Sequence, residues 1–129
     1  MSDHANRVLV IDDDAAVRNS LAFTLGLEDL DVRTYGSGAE LLADPHLPHG
    51  GCLVIDYHMP GMNGIELVRR LKQRHLSYPV ILITSGTAYD LLERAAGSGI
   101  REVLEKPLQD GTLLDRIKEA LAASACDRR

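Results

Sequence analysis

The chain alternates short, unbroken apolar runs with segments whose apolar residues recur at helical spacing. Arg7–Ile11 (RVLVI) is continuous and β-branched, which predicts a buried strand, and it stops at three aspartates. Val17, Leu21 and Leu25 follow at spacings of four and mark one face of a helix that Gly26 can end. Asp31–Tyr35 is more polar and predicts a short strand at a sheet edge. Ser37–Glu40 (SGAE) fits a capping box ahead of Leu41 and Leu42, since each side chain can satisfy a free amide of the first turn. Asp44–Gly51, with its two Pro and two Gly, predicts a loop.

The second half repeats the alternation. Cys52–Ile55 predicts a buried strand ending at Asp56, Asn63-Gly64 a turn, and Ile65, Val68 and Leu71 a helix. Pro79–Ile83 (PVILI) is the clearest strand, Tyr89–Ala96 a short helix stopped by Gly97 and Gly99, and Glu102–Leu104 the last strand. Leu114, Ile117 and Leu121 line a closing helix. Strands alternating with helices imply a parallel sheet, because a crossover helix is how parallel neighbours connect. The first, third and fourth runs are apolar on both faces, as a sheet covered on both sides requires. The predicted fold is an α/β three-layer sandwich of five strands and five helices. No repeat, linker or low-complexity tract divides the chain, so a single domain over residues 1–129 is expected, with its core over 7–121 and no output domain.

A length of 129 residues suits one compact domain burying roughly two thirds of its unfolded surface. The net charge of −5, without a block of Lys and Arg, argues against a nucleic-acid surface. The longest apolar runs, Val8–Ile11 and Val80–Ile83, are too short to span a bilayer, and MSDHANR lacks the apolar region of a signal peptide. No membrane association and a cytoplasmic location are expected. Cys52 and Cys126 are too few for a disulfide framework; Cys52 reads as a small core residue, and Cys126 falls in a polar tail.

The strand ends carry the chemistry. Asp12 and Asp13 end the first, Asp56 the third, Thr84 the fourth, and Lys106 lies near the end of the fifth. Open parallel sheets bind ligands beyond the carboxyl ends of their strands, so these groups would converge on one edge. Like charges ~5 Å apart repel by about 3 kcal/mol at a dielectric of 20, which favours either bound protons or a cation. Carboxylate oxygens without a nearby His or Cys favour Mg2+, Mn2+ or Ca2+ over zinc, and Mg2+ suits a phosphoryl partner best. A carboxylate beside a divalent ion, a lysine and a hydroxyl is suited to accept a phosphoryl group.

From VLVIDDD through LVIDYHMPGMNG and ILITSG to LEKPL, the chain resembles a response-regulator receiver domain of two-component signalling, over Arg7 to Leu121. The resemblance implies a flavodoxin-like fold with strand order 2-1-3-4-5, which sets Asp13 next to Asp56. It implies Asp56 as phosphoacceptor, with Mg2+ (or Mn2+) held by Asp12, Asp13, Asp56 and the carbonyl of His58. Thr84 would be the switch hydroxyl and Lys106 the lysine before Pro107, a bond often cis in the family. The phosphoryl donor would be a sensor histidine kinase or a histidine phosphotransfer protein. An unidentified downstream protein, or a second phosphorylated copy in a homodimer, would read the switched surface of the fourth helix, fifth strand and fifth helix. Two departures stand out. Val103 occupies a place usually held by an aromatic that couples to the threonine, and Ile100 replaces a small residue after Gly99. His58 and Gly86 take positions that tune loss of the phosphoryl group in similar proteins, and Gly86 is expected to leave the site open.

Each residue also has a plainer reading. The aspartate run alone suits a solvated turn and helix cap, Asp56 a turn former before Pro60, Thr84 a strand end, Lys106 a solvated lysine, and His58 a surface side chain. His4, His46, His49 and His75 have no ligand-spaced partners. A haloacid-dehalogenase-type phosphatase with Asp12 as nucleophile is a rival function, although Asp110 and Asp115 fall in the closing helix rather than at a strand end. A pseudo-receiver that binds protein without phosphorylation is the other, favoured only by Val103.

Overall fold

The computed structural model describes residues 6–47, 50–76, 78–86, 88–95, 99–106, 108 and 111–127. The elements run β1 (Arg7–Ile11), α1 (Ala15–Gly26), β2 (Asp31–Tyr35), α2 (Gly38–Ala43), β3 (Cys52–Asp56), α3 (Gly64–Gln73), β4 (Val80–Thr84), α4 (Ala88–Ala95), β5 (Ile100–Glu105) and α5 (Thr112–Asp127). The strands form one parallel sheet in the order β2-β1-β3-β4-β5. β2 is an edge strand, as its polar sequence predicts.

Alternation within the central strands divides the core into two layers, because successive side chains leave opposite faces of a sheet. Leu9, Ile11, Leu53, Ile55, Val80 and Leu82 pack with Leu41 of α2, Leu67 and Leu71 of α3, and Leu91 of α4. Val8, Val10, Cys52, Val54, Ile81 and Ile83 pack on the other side with Leu25 of α1 and with Leu113, Ile117 and Ala120 of α5. Every residue of β3 and β4 is buried. Each fully buried Leu or Ile contributes roughly 2 kcal/mol from leaving water.

Several local details depart from the sequence reading. β5 begins at Ile100, not Glu102, since Ile100 pairs with Val80 across a register shift. β4 starts at Val80 rather than at Pro79, which has no amide to give a ladder. α5 extends to Asp127 and takes the backbone of Cys126 into a helix rather than a tail. Leu113 and Ala120 join Ile117 on its buried face, while Leu114 is only partly covered. Asn63 caps α3 rather than forming a free turn, its side chain accepting from the Glu66 amide at 2.9 Å. Ser37 accepts from the Glu40 amide as expected, but Glu40 reaches past the cap to the Gly36 amide at 2.9 Å. Gly97, one of the expected helix stops, lies outside the described residues.

Gly64 is a contact requirement. A β-carbon there would lie 2.5 Å from Leu82 Cδ1 and 3.1 Å from Ile55 Cγ2, so α3 can seat its first turn against β3 and β4 only without one. That seating fixes the start of the helix beside the loop that leaves Asp56.

Candidate functional site

The aspartate run after β1 divides its labour. Asp14 caps α1, its carboxylate accepting from the Ala16 amide at 2.9 Å and from Val17 at 3.4 Å. Asp12 turns inward and accepts the Asp14 amide at 2.9 Å. β1 pairs with β3 in a register that matches Ile11 with Ile55, which brings the residues following them, Asp12 and Asp56, to the same level. Carboxylate oxygens of Asp12, Asp13 and Asp56 all lie within 4.8 Å of one another. Asp12 and Asp56 are buried and Asp13 is exposed, so the cluster opens to solvent on one side. The run thus divides between two settings: Asp14 caps the helix, while Asp12 and Asp13 join a cluster compatible with a divalent ion.

Burial pushes the Asp12 carboxyl above its ordinary range. Asp56 and Asp13 nearby push it further, against the opposing pull of the Asp14 amide and of Lys106. Arg18 of α1 backs the site, donating to the Asp12 carbonyl at 2.7 Å. Its place six residues on, across a helix start, is a geometry that the sequence alone does not announce.

Thr84 ends β4 and is 1% exposed. Its carbonyl accepts the Lys106 amide at 2.7 Å, which carries the β4–β5 ladder one step further and sets Lys106 beside the acids. Lys106 Nζ reaches to 3.6 Å of Asp56 Oδ2. The expected amine, hydroxyl and three carboxylates are therefore brought together. Pro107 lies outside the described residues, and with it the expected cis bond.

His58 is a surface side chain, as its plain reading expects, yet one with a partner in the site. It is exposed, but Nε2 lies 2.9 Å from Thr84 Oγ1, which also accepts the Gly86 amide at 2.9 Å. The His58 amide donates to Asp56 Oδ1 at 3.1 Å. A β-carbon on Gly86 would stand 3.5 Å from Thr84 Oγ1 and 3.8 Å from His58 Nε2, so a side chain would fit there and lie over this pair. Tyr57 is a second residue the sequence reading passed over. Its ring meets that of His58 edge to face, 5.0 Å between centroids, and its hydroxyl accepts from Arg94 of α4 at 2.9 Å. A single aromatic between an acid and a histidine carries no periodic signal, which is why it escaped.

A doubly wound α/β domain with an acidic cluster, a buried hydroxyl and an amine beyond the carboxyl ends of β1, β3, β4 and β5 defines the class. The chain belongs to the response regulator receiver domain family, whose model matches residues 8–118. It is 40% identical over 119 residues to the transcriptional regulatory protein FixJ of Azorhizobium caulinodans, covering 92% of this chain and 56% of that protein. It is 36% identical over 120 residues to the transcriptional regulatory protein TdiR of Thauera aromatica, covering 92% and 52%. The chain spans about half the length of these relatives. Among solved structures, FixJ-N superposes with a TM-score of 0.81 at 35% identity, over 95% of this chain and 96% of the other. The chemotaxis protein CheY4 of Vibrio cholerae gives 0.81 at 26% identity, over 88% and 97%. The fold class read from the sequence and the strand order implied by the resemblance both hold. No helix among the described residues is long and apolar enough to cross a membrane.

Proposed function

We propose that Asp56 is the phosphoacceptor of a cytoplasmic two-component pathway, receiving its phosphoryl group from a sensor histidine kinase or a histidine phosphotransfer protein. The observation that carries this reading is the convergence of Asp12, Asp13 and Asp56 within 4.8 Å, with Lys106 Nζ 3.6 Å from Asp56. In the transfer, an Asp56 carboxylate oxygen attacks phosphorus, an O–P bond forms, and the P–N bond to the donor's histidine breaks. The departing imidazole leaves with the electron pair of that bond. Lys106 balances charge on the phosphoryl oxygens, and Thr84 offers them a hydroxyl proton from the neighbouring strand end.

Three hard carboxylates at this spacing, without a soft ligand in the cluster, fit a Mg2+ or Mn2+ ion. Asp12, Asp13 and Asp56 would hold it, together with the His58 carbonyl. Such an ion supplies charge neutralisation where carboxylate and phosphoryl oxygens crowd. Asp56 is the better placed nucleophile of the two because its carboxylate is the one paired with Lys106, at 3.6 Å. The exposed apolar residues of α4, Tyr89 at 68% and Leu92 at 52%, suit an output surface read by a downstream protein or a second copy of the chain.

The test is incubation with acetyl phosphate and Mg2+ followed by intact-mass measurement. The parent protein gains the mass of one phosphoryl group and Asp56→Asn gains none. Equal labelling of both proteins would overturn the assignment.

A further inference from the structure

Position 103 is a valine, partly buried beside the layer that contains α3 and α4, so no aromatic on β5 can follow the Thr84 hydroxyl. The structure offers another route from Thr84 to α4. Thr84 Oγ1 bonds His58 Nε2 at 2.9 Å, the His58 ring stands edge to face on Tyr57 at 86°, and the Tyr57 hydroxyl accepts from Arg94 at 2.9 Å. These contacts are continuous. They start at a buried hydroxyl on the sheet edge and end on the helix that displays Tyr89 and Leu92.

We propose that Thr84, His58, Tyr57 and Arg94 form a relay through which the state of Asp56 reaches α4, with His58 and Tyr57 as positioning residues. The inference rests on the phosphoacceptor reading for what throws the switch. A hydroxyl has one proton and two lone pairs. One lone pair of Thr84 is taken by the Gly86 amide. The relay requires that in the unphosphorylated protein this proton is the one shared with His58 Nε2, the ring nitrogen acting as acceptor. A phosphoryl group on Asp56 is a stronger, charged acceptor and draws that proton away. His58 then loses the bond that orients its ring, Tyr57 loses the edge contact that holds its own ring, and Arg94 loses a fixed acceptor. The relay thereby turns one proton's choice of partner into the position of a helix.

Gly86 fits this arrangement. A larger residue there would lie over the Thr84–His58 pair, within ordinary contact of both, and would hinder the ring from turning away.

Backbone amide exchange across residues 88–95 reads the relay at its far end. In the unphosphorylated protein, Thr84→Val removes the hydroxyl and is expected to change α4 exchange by about two- to fivefold, the scale of one hydrogen bond. Thr84→Ser restores the parent rate. In a Tyr57→Phe background, where Arg94 has no hydroxyl to bond, Thr84→Val is expected to leave α4 exchange unchanged. Equal responses to Thr84→Val with and without the Tyr57 hydroxyl would overturn the relay, whether or not Asp56 takes a phosphoryl group. A second arm uses acetyl phosphate and Mg2+, with intact mass reporting occupancy. Tyr57→Phe is expected to be phosphorylated to the parent's extent while α4 responds less than half as much. A full α4 response in phosphorylated Tyr57→Phe would equally sink the relay. A parent protein that gains no mass would fail the phosphoacceptor reading alone, and the unphosphorylated arm still decides the relay.

Discussion

Replacing Asp13 by Asn is expected to stabilise the metal-free protein while removing most of its response to Mg2+. Asp13 shares a cluster with two buried acids, and oxygens of all three lie within 4.8 Å of one another. At an effective dielectric of 20, one such pair repels by about 3.5 kcal/mol. Asp13 is the exposed member, so solvent and salt reduce what its removal recovers to roughly 1 kcal/mol. For a chain of this size that is a rise of about 3–5 °C in Tm. Bound cation reverses the balance. Parent protein at Mg2+ one hundred times its Kd gains about 2.7 kcal/mol, whereas a site with two carboxylates binds more weakly and gains less than half of that. Thermal unfolding in chelator and in a Mg2+ series measures both effects, with Ca2+-free, low-salt buffer making the repulsion largest. A variant less stable than the parent in chelator, or one with the parent's full Mg2+ shift, would refute the idea that these three acids form a strained cation site.

Gly64→Ala should lower stability by about 1–2 kcal/mol in urea unfolding, since the new methyl meets Leu82 Cδ1 at 2.5 Å and Ile55 Cγ2 at 3.1 Å, both on buried residues; an unchanged midpoint would mean α3 can lift off the sheet freely. Tyr35→Phe tests the Tyr35–Asp44 bond of 2.5 Å by pH. The Tyr35 hydroxyl holds the Asp44 carboxyl below its ordinary range, so the bond stabilises the fold above that range and is lost as pH falls through the depressed value. Burial and Asp44 push the Tyr35 hydroxyl up to about 12, so the parent also loses stability as pH rises from 10.0 towards 12. The variant should therefore lie below the parent near neutrality and approach it at both extremes; a pH-independent gap would rule the bond out as the cause.

The fold was legible because its signal is local and repeated. Apolar runs bounded by acid, glycine or proline fix β1, β3 and β4, and their lack of polar interruptions already says that these strands are covered on both faces. Errors fell where tertiary contacts override local preference. The local pattern starts the last strand at Glu102, but pairing with Val80 draws Ile100 into β5 as well. His75 drew no role from the sequence, yet it takes a positive φ of 63° where α3 ends, its amide bonding the Lys72 carbonyl and the next amide that of Leu71. That left-handed closing turn usually falls to Gly, and nothing in the spacing marks a histidine for it.

The site was legible only in part, and the division follows from how each residue is held. Asp12, Asp13, Asp56, Thr84 and Lys106 stand at strand ends, so once the strands and their order are known the backbone carries those groups to one edge. Arg18, Tyr57 and Arg94 arrive there from helices and a loop, by side chains long enough to cross between elements. Reach of that kind leaves no periodicity behind. The same distinction bears on mechanism: groups fixed by the sheet cannot move far without unpairing strands, and so they suit the chemistry, which needs a rigid frame. His58, Tyr57 and Arg94 hang on single hydrogen bonds and one ring contact, each worth roughly 1 kcal/mol, and can change partners at small cost. In the proposed relay the second kind comes from outside β5, where the Val103 side chain carries neither a ring nor a hydrogen-bonding group.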